Sequence, residues 1–206
     1  MVVALAPGDG NVERVLVLVR HGQTDANARG LLLGRADPPL SELGRRQAAA
    51  LARRVPDDAR VVASPLLRAR ETAAAFGRPV DVDDRWIELD YGEYDGTPVG
   101  AVPAEVWARW RADPEYVPPG GEALATLGRR VRGACDDLLD EARERDVVVV
   151  SHVSPIKAAI GWALGAGDDV AWRMFVQVGS IARVAIGPWG PSLHAFNETV
   201  EPDLSP

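Results

Sequence analysis

Val15-Leu16-Val17-Leu18-Val19 runs without a break into Arg20-His21-Gly22-Gln23-Thr24, so an apolar stretch ends abruptly on charged and titratable residues. A continuous apolar run this short, rich in β-branched residues, predicts a strand buried on both faces. Such strands belong to parallel sheets covered by helices on each side. The pattern recurs twice. Val147-Val148-Val149-Val150 ends on Ser151-His152, and Arg60-Val61-Val62-Ala63 ends on Ser64-Pro65-Leu66-Leu67-Arg68. Residues 181–186 supply a last strand candidate.

Helical segments fall between these runs. Ser41 opens one over residues 41–55, with leucines and alanines at helical spacing and Pro56 as its stop. Residues 66–76 read as a second, ended by Gly77. The longest covers 123–145, with Leu124, Leu127, Val131, Leu138 and Leu139 as its apolar stripe. A fourth is expected over 155–164, with Pro155 in its first turn. Strands alternating with helices predict an α/β fold, a three-layer sandwich with a mostly parallel central sheet. One domain is expected over 1–206, with an insertion at about 92–121 that covers the sheet as a lid, and a frayed tail after Glu198.

The carboxyl ends of parallel strands face one crevice, where ligands bind. The topology therefore predicts that Arg20, His21, Arg68 and His152 meet, although they lie far apart in sequence. Two guanidiniums match phosphate oxygens and keep their charge. A neutral imidazole is a nucleophile toward phosphorus, and a second one, if protonated, adds donors to the phosphoryl oxygens. Gly22 lets the backbone approach a ligand closely. These groups suit phosphoryl transfer without a metal.

Composition narrows the field. The chain has 206 residues and a net charge of -7, which argues against a nucleic-acid or anionic-membrane binder dependent on basic surface. Hydrophobic residues at 47% and charged residues at 26% match a globular domain rather than a disordered chain. Cys135 is the only cysteine, which excludes an internal disulfide framework and a multi-cysteine metal cage. No apolar run is long enough to span a membrane, and Met1 to Pro7 lacks the basic start of a secretion signal, so residence in the cytoplasm is expected. Lys157 is the only lysine among 23 basic residues, so an arginine carries little information by its presence alone.

The ordered motifs resemble the histidine phosphatase superfamily, with its phosphoglycerate-mutase-like fold. The resemblance rests on Arg20-His21-Gly22 with Gln23, Thr24 and Asn27, then Gly34, Asp37, Pro39-Leu40-Ser41, Gly44 and Gln47-Ala48. It continues through Ser64-Pro65, Arg68, Thr72-Ala73, Glu88, Gly92, Gly96, Gly120-Gly121-Glu122 and Ser151-His152. It implies that His21 is the phosphorylated nucleophile and that Arg20, Arg68 and His152 hold the phosphoryl group. It implies further that Asn27 bonds the phosphate, that Gln23, Thr24 and Gly34 line the substrate site, and that Glu88 is the proton donor. A carboxyl is needed there because an alkoxide leaves poorly unless it is protonated as the bond breaks.

Other readings stay beside these. Arg20 also suits a strand-end salt bridge, and Asp90, Glu93 and Asp95 stand close to Glu88 as a solvated acidic loop. His194 reads as structural, Cys135 as core, and Trp107 and Trp110 as core cover. Val153 replaces the glycine that many relatives carry after the second histidine, and Leu33 stands where mutases commonly offer a hydroxyl. The expected activity is metal-independent hydrolysis of a small phosphorylated metabolite, with no cofactor. The alternatives are a bisphosphoglycerate-dependent mutase and a non-catalytic phospho-ligand module. Oligomeric state is open, a homodimer included.

Overall fold

A computed structural model describes residues 14–201. The Met1 to Pro7 segment lies outside them. In chain order the elements are β1 (Arg14–Arg20), α1 (Asp25–Ala28), α2 (Glu42–Ala52), β2 (Arg60–Ala63), α3 (Leu67–Ala74) and β3 (Val80–Val82). Then follow α4 (Ala104–Ala112), α5 (Leu124–Leu139), α6 (Glu141–Glu144), β4 (Val147–Ser151), α7 (Val153–Ala163), β5 (Ser180–Gly187) and β6 (Gly190–Thr199). No helix among the described residues is long and apolar enough to cross a membrane.

The sheet order is β3-β2-β4-β1-β5-β6. The pairs β3/β2, β2/β4 and β4/β1 are parallel, and β5 and β6 extend the sheet antiparallel. Period-two alternation in the apolar runs splits them between two cores. Leu16 and Leu18, with Val147 and Val149, face Leu127, Val131, Ile156 and Ile160 of α5 and α7. Val17 and Val19, with Val148 and Val150, face Leu51 of α2 and Ala69 and Ala73 of α3. That is the sandwich the continuous apolar runs predict. Each fully buried valine contributes about 1.5–3 kcal/mol of transfer free energy, so β1 and β4 anchor the fold.

The departures are local. Ser41 caps α2 by accepting from Gly44 N–H, but the helix closes at Ala52 before Val55. The predicted long helix is interrupted at Asp140, where Arg143 N–H bonds the Asp140 carbonyl at 3.2 Å in a tightened turn. Helix α7 begins at Val153, two residues ahead of Pro155, because His152 already serves as its extended N-cap. Of the tail expected to fray after Glu198, Thr199 still pairs with Ser180 in β6, and residues 202–206 lie outside the described ones. Strands β3 and β6 carry little sequence signal because both are partly exposed edges with weak apolar alternation.

Residues 92–121 hold two short 3-10 turns and α4. This segment builds an aromatic core of its own, where Trp110 packs edge-on against Tyr91 at 5.9 Å and Tyr94 at 5.8 Å. Trp107 lies 5.2 Å from Trp110 and 6.2 Å from Trp172. Tyr91 also packs against the α5–α7 core, so it joins the two clusters. The tryptophans therefore fill core, as their sequence context indicates.

Candidate active site

Strand ends at one level create the site. Arg20 pairs with Ser151 across β1 and β4, His21 N–H bonds the Ser151 carbonyl at 3.0 Å, and Ser64 N–H bonds the Val150 carbonyl at 3.0 Å. After β1 the chain turns toward the α2 face, and after β4 it enters α7 on the other face. The crevice between β1 and β4 is thus a topological switch point, where α/β sheets bind ligands.

His21 is 2% exposed, and its ring centroid lies 5.1 Å from that of His152. Its Nδ1–H donates to the Gly22 carbonyl at 2.7 Å, and its Nε2 accepts from Arg68 Nε at 3.3 Å. The carbonyl can only accept, so it fixes the tautomer and leaves the lone pair on Nε2. Burial, then Arg68 and Arg20, holds the ring well below its usual pKa, and it is neutral. His152 is fully buried and likewise held well below its usual pKa by burial and by Arg68. Its Nε2 pairs with Ser64 Oγ at 2.7 Å, while Nδ1 is buried without a partner.

The guanidiniums differ in support. Arg68 is fully buried and donates through Nη1 to the Ala36 carbonyl and through Nη2 to the Gly34 carbonyl, each at 2.8 Å. Its nearest carboxylate is Asp37 at 4.0 Å. Arg20 donates through Nη1 to the Val176 carbonyl at 2.7 Å, its Nε is buried without a partner, and burial brings it down to about 10. The strand-end salt bridge that Arg20 also suited is absent among the described residues. Cations this enclosed, with no carboxylate in hydrogen-bond contact, make the pocket a place for an anion.

Glu88 is 3% exposed and lies at the N-terminus of α7. It accepts from Leu89 N–H at 2.7 Å and from Ser154 N–H at 3.2 and 3.4 Å on its two oxygens. Buried and bonded to the backbone two residues beyond His152, this carboxyl is no part of a solvated loop. Tyr91, pushed up by burial and by Glu88, reaches Ser154 Oγ with its hydroxyl at 3.3 Å.

Among the remaining expected site residues, Thr24 and Asn27 form the capping box of α1. Asn27 Oδ1 accepts from Thr24 N–H and Oγ1–H at 3.1 and 3.0 Å, so Nδ2 is the end of the amide left for a ligand. Gln23 is tied to α2, its N–H bonding Gln47 Oε1 at 2.8 Å and its Oε1 accepting from Ser41 at 3.1 Å. Both backbone groups of Gly34 are spent inside the protein, the carbonyl on Arg68 and the N–H on Asp95 at 2.8 Å. Gly22 lacks a Cβ for a packing reason as well. A Cβ there would sit 2.4 Å from the Gly44 carbonyl oxygen, so the loop after β1 crosses the α2 backbone at contact distance.

In the sequence Asp95 is only an acidic neighbour of Glu88. Its two oxygens accept from Gly34 N–H at 2.8 Å and Ala36 N–H at 2.7 Å, the residues whose carbonyls hold Arg68. Thr72 Oγ1 links Gly22 N–H at 3.1 Å to the Arg68 carbonyl at 2.7 Å. The motif Thr72-Ala73 signalled that residue, whereas Asp95 carried no signal apart from its place between Gly92 and Gly96.

A neutral imidazole held by its own loop lies between two guanidiniums that hydrogen-bond backbone carbonyls rather than carboxylates, at the strand ends of an α/β domain. The chain belongs to the histidine phosphatase superfamily, branch 1, whose family model matches residues 16–199. It is 39% identical over 178 residues to a bifunctional protein of Mycobacterium tuberculosis, covering 81% of this chain and 49% of that protein. The chain thus spans about half the length of that relative. It is 36% identical over 167 residues to phosphoserine phosphatase 1 of Hydrogenobacter thermophilus, covering 76% of this chain and 79% of that one. Among solved structures it resembles the mycobacterial glucosyl-3-phosphoglycerate phosphatase, with TM-score 0.80, 29% identity, and coverage of 91% and 100% of the two chains.

Proposed function

We propose that the chain hydrolyses phosphomonoesters of small metabolites through a phosphohistidine on His21, without a metal or other cofactor. The observation that carries this is the His21 tautomer. With Nδ1–H held by Gly22, the Nε2 lone pair faces the Arg68 guanidinium, where a phosphoryl group would sit. Arg20, Arg68 and the free Nδ1 of His152 bind the phosphoryl oxygens, and Asn27 Nδ2 adds a donor. Gln23, Thr24 and Gly34 shape the site from behind, Gly34 by holding Arg68.

In the first step Nε2 of His21 attacks phosphorus and the ester P–O bond breaks. The leaving alkoxide takes its proton from Glu88. In the second, water attacks phosphorus and gives its proton to Glu88. The P–N bond then breaks, and inorganic phosphate and neutral His21 are released. Electrostatic complementarity to the phosphoryl oxygens supplies the rest of the barrier reduction.

The relatives named for phosphoserine and glucosyl-3-phosphoglycerate support phosphatase over mutase and make those two compounds the first substrates to try. The 92–121 segment forms the rim and serves as the lid. The buried, unbridged Cys135 suits a reducing compartment, and we assign the chain to the cytoplasm.

The test is trapping. Wild-type protein quenched during turnover carries acid-labile, alkali-stable phosphate, and His21→Ala carries none and loses turnover by about four orders of magnitude or more. Excess chelator leaves the rate unchanged, and bisphosphoglycerate does not stimulate it. A phosphate-free enzyme under quench, or a strong response to the primer, would overturn the hydrolase mechanism.

A further inference from the structure

Glu122 ends the Gly120-Gly121-Glu122 motif, yet it touches none of the groups that handle phosphate. Its carboxylate is 13% exposed and grips Arg130 of α5 twice, with Oε1 to Nε and Oε2 to Nη2 both at 2.9 Å. Arg130 then donates to two backbone carbonyls of the segment that carries the acid, Nη1 to Arg85 at 2.6 Å and Nη2 to Glu88 at 3.3 Å. From the other side, Arg35 Nη2 reaches Glu122 Oε2 at 3.2 Å, and Arg35 sits between Gly34 and Ala36, whose carbonyls hold Arg68. Arg130 and Arg35 hold the Glu122 carboxyl below its usual range against the opposing effect of burial, and it stays ionised. Glu122 N–H is also committed, to the Asp90 carbonyl at 2.9 Å.

One carboxylate therefore joins the acid-bearing segment to the phosphate clamp. We propose that Arg130 and Glu122 are positioning residues for Glu88, fixing its backbone so that the carboxyl meets the leaving oxygen of a phosphoester whose phosphoryl group Arg68 already holds. The inference rests on the hydrolase reading above. A planar guanidinium suits the task because its fork spans two carbonyls and a carboxylate at fixed angles, which an ammonium cannot reproduce. A carboxyl displaced by about 1 Å still buries its charge but no longer delivers its proton in line, and general-acid assistance is worth roughly 10²–10⁴-fold.

The experiment compares kcat/KM on phenyl phosphate, which needs the proton, with 2,4-dinitrophenyl phosphate, which does not. Arg130→Met is expected to lose at least about tenfold more on the first than on the second, with Arg130→Lys intermediate and Glu122→Gln in the same direction. Combining Arg130→Met with Glu88→Gln should add no further leaving-group sensitivity to that of Glu88→Gln alone. Equal losses on both esters in Arg130→Met and Glu122→Gln, or additive leaving-group effects in the double variant, overturn the inference. If Arg130→Met does not fold by circular dichroism, Glu122→Gln decides the matter alone. Wild-type protein that hydrolyses neither ester fails the hydrolase reading instead, so the two failures are distinct.

Discussion

Two hollows in this molecule each contain a pair of arginines. One is the crevice at the β1 and β4 ends, with Arg20 and Arg68. The other is a groove of about 580 Å³ along the β3 edge, lined by Arg60, Asp81, Asp83, Asp84, Arg85 and Asp137. In the groove every guanidinium is already answered. Arg60 pairs with Asp81 at 2.8 Å and with Glu141, and Arg85 pairs with Asp83 at 2.8 Å and Asp137 at 2.5 Å. Those partners raise both arginines above their usual pKa, whereas burial lowers Arg20 and Arg68. Chemistry favours the crevice, because its guanidiniums are not hydrogen-bonded to carboxylates as those of the groove are. In a chain this rich in arginine, what marks a ligand site is an enclosed cation with no carboxylate in hydrogen-bond contact.

The largest effect expected of any arginine breaks that contrast directly. Arg20→Met and Arg68→Met should each cut kcat/KM for a phosphomonoester by about 10²–10³-fold, the worth of one donor to transition-state charge. Arg60→Met and Arg85→Met should leave it within about threefold, since their charge is neutralised on the spot. Comparable losses in both pairs would falsify the distinction between crevice and groove.

A smaller loss separates holding from touching. Asp95→Asn keeps the shape but replaces one acceptor oxygen with a donor that cannot accept from Gly34 or Ala36 N–H. With its carbonyl platform loosened, Arg68 should lose about tenfold in activity, on the scale of a positioning defect. A variant with unchanged kcat/KM would show that the Gly34 and Ala36 carbonyls hold Arg68 unaided.

How far the sequence reached follows from where each group sits. Arg20, His21 and His152 were legible because each directly follows an apolar run that reads as a strand, and Arg68 because a motif fixes it a few residues beyond one. Glu88 follows no such strand; only the resemblance picked it from among Asp90, Glu93 and Asp95, and its burial on the α7 N-terminus appears only in three dimensions. Asp95 was illegible because its partners lie 59 and 61 residues away and are backbone amides, which carry no sequence signal. The same holds for β3 and β6, whose pairing is set by the neighbours they add to rather than by apolar alternation of their own. Local pattern finds what a residue is next to in the chain, and the site's supporting bonds are long-range.

Burial, with the cations beside them, presses on the histidines and gives the crevice a pH signature. In the unfolded chain an imidazole titrates near 6.5, and in the folded crevice both rings titrate well below that. Between the two values the unfolded chain binds protons that the native one refuses, so stability rises with pH. The contribution is complete above about pH 6.5 and lost as pH falls toward the native values, at up to about 1.4 kcal/mol per pH unit for each ring. Thermal melts from pH 7 to pH 5, above the usual carboxylate range, should show a falling Tm. His152→Gln should flatten the fall by about half, and saturating inorganic phosphate should reduce it by favouring the charged rings. A Tm that holds steady over this range in the wild type would mean the rings take up protons freely.

The least effect is expected where the charges look most plentiful. The Arg85–Asp137 pair spans the groove, yet the side chains are 39% and 68% exposed, so solvent screens their attraction and both lose rotamer freedom by pairing. Asp137→Asn should therefore cost no more than about 0–1 kcal/mol, and 0.5 M salt should erase most of that. The bidentate Asp83 contact leaves Arg85 tethered when Asp137 is gone, since Asp83 accepts from both Nε and Nη2 of Arg85 and from its backbone N–H. Denaturant titration of Asp137→Asn with and without salt measures this. A salt-insensitive loss of several kcal/mol would make the groove a structural keystone and erase its contrast with the crevice, where removing a charge is felt in turnover.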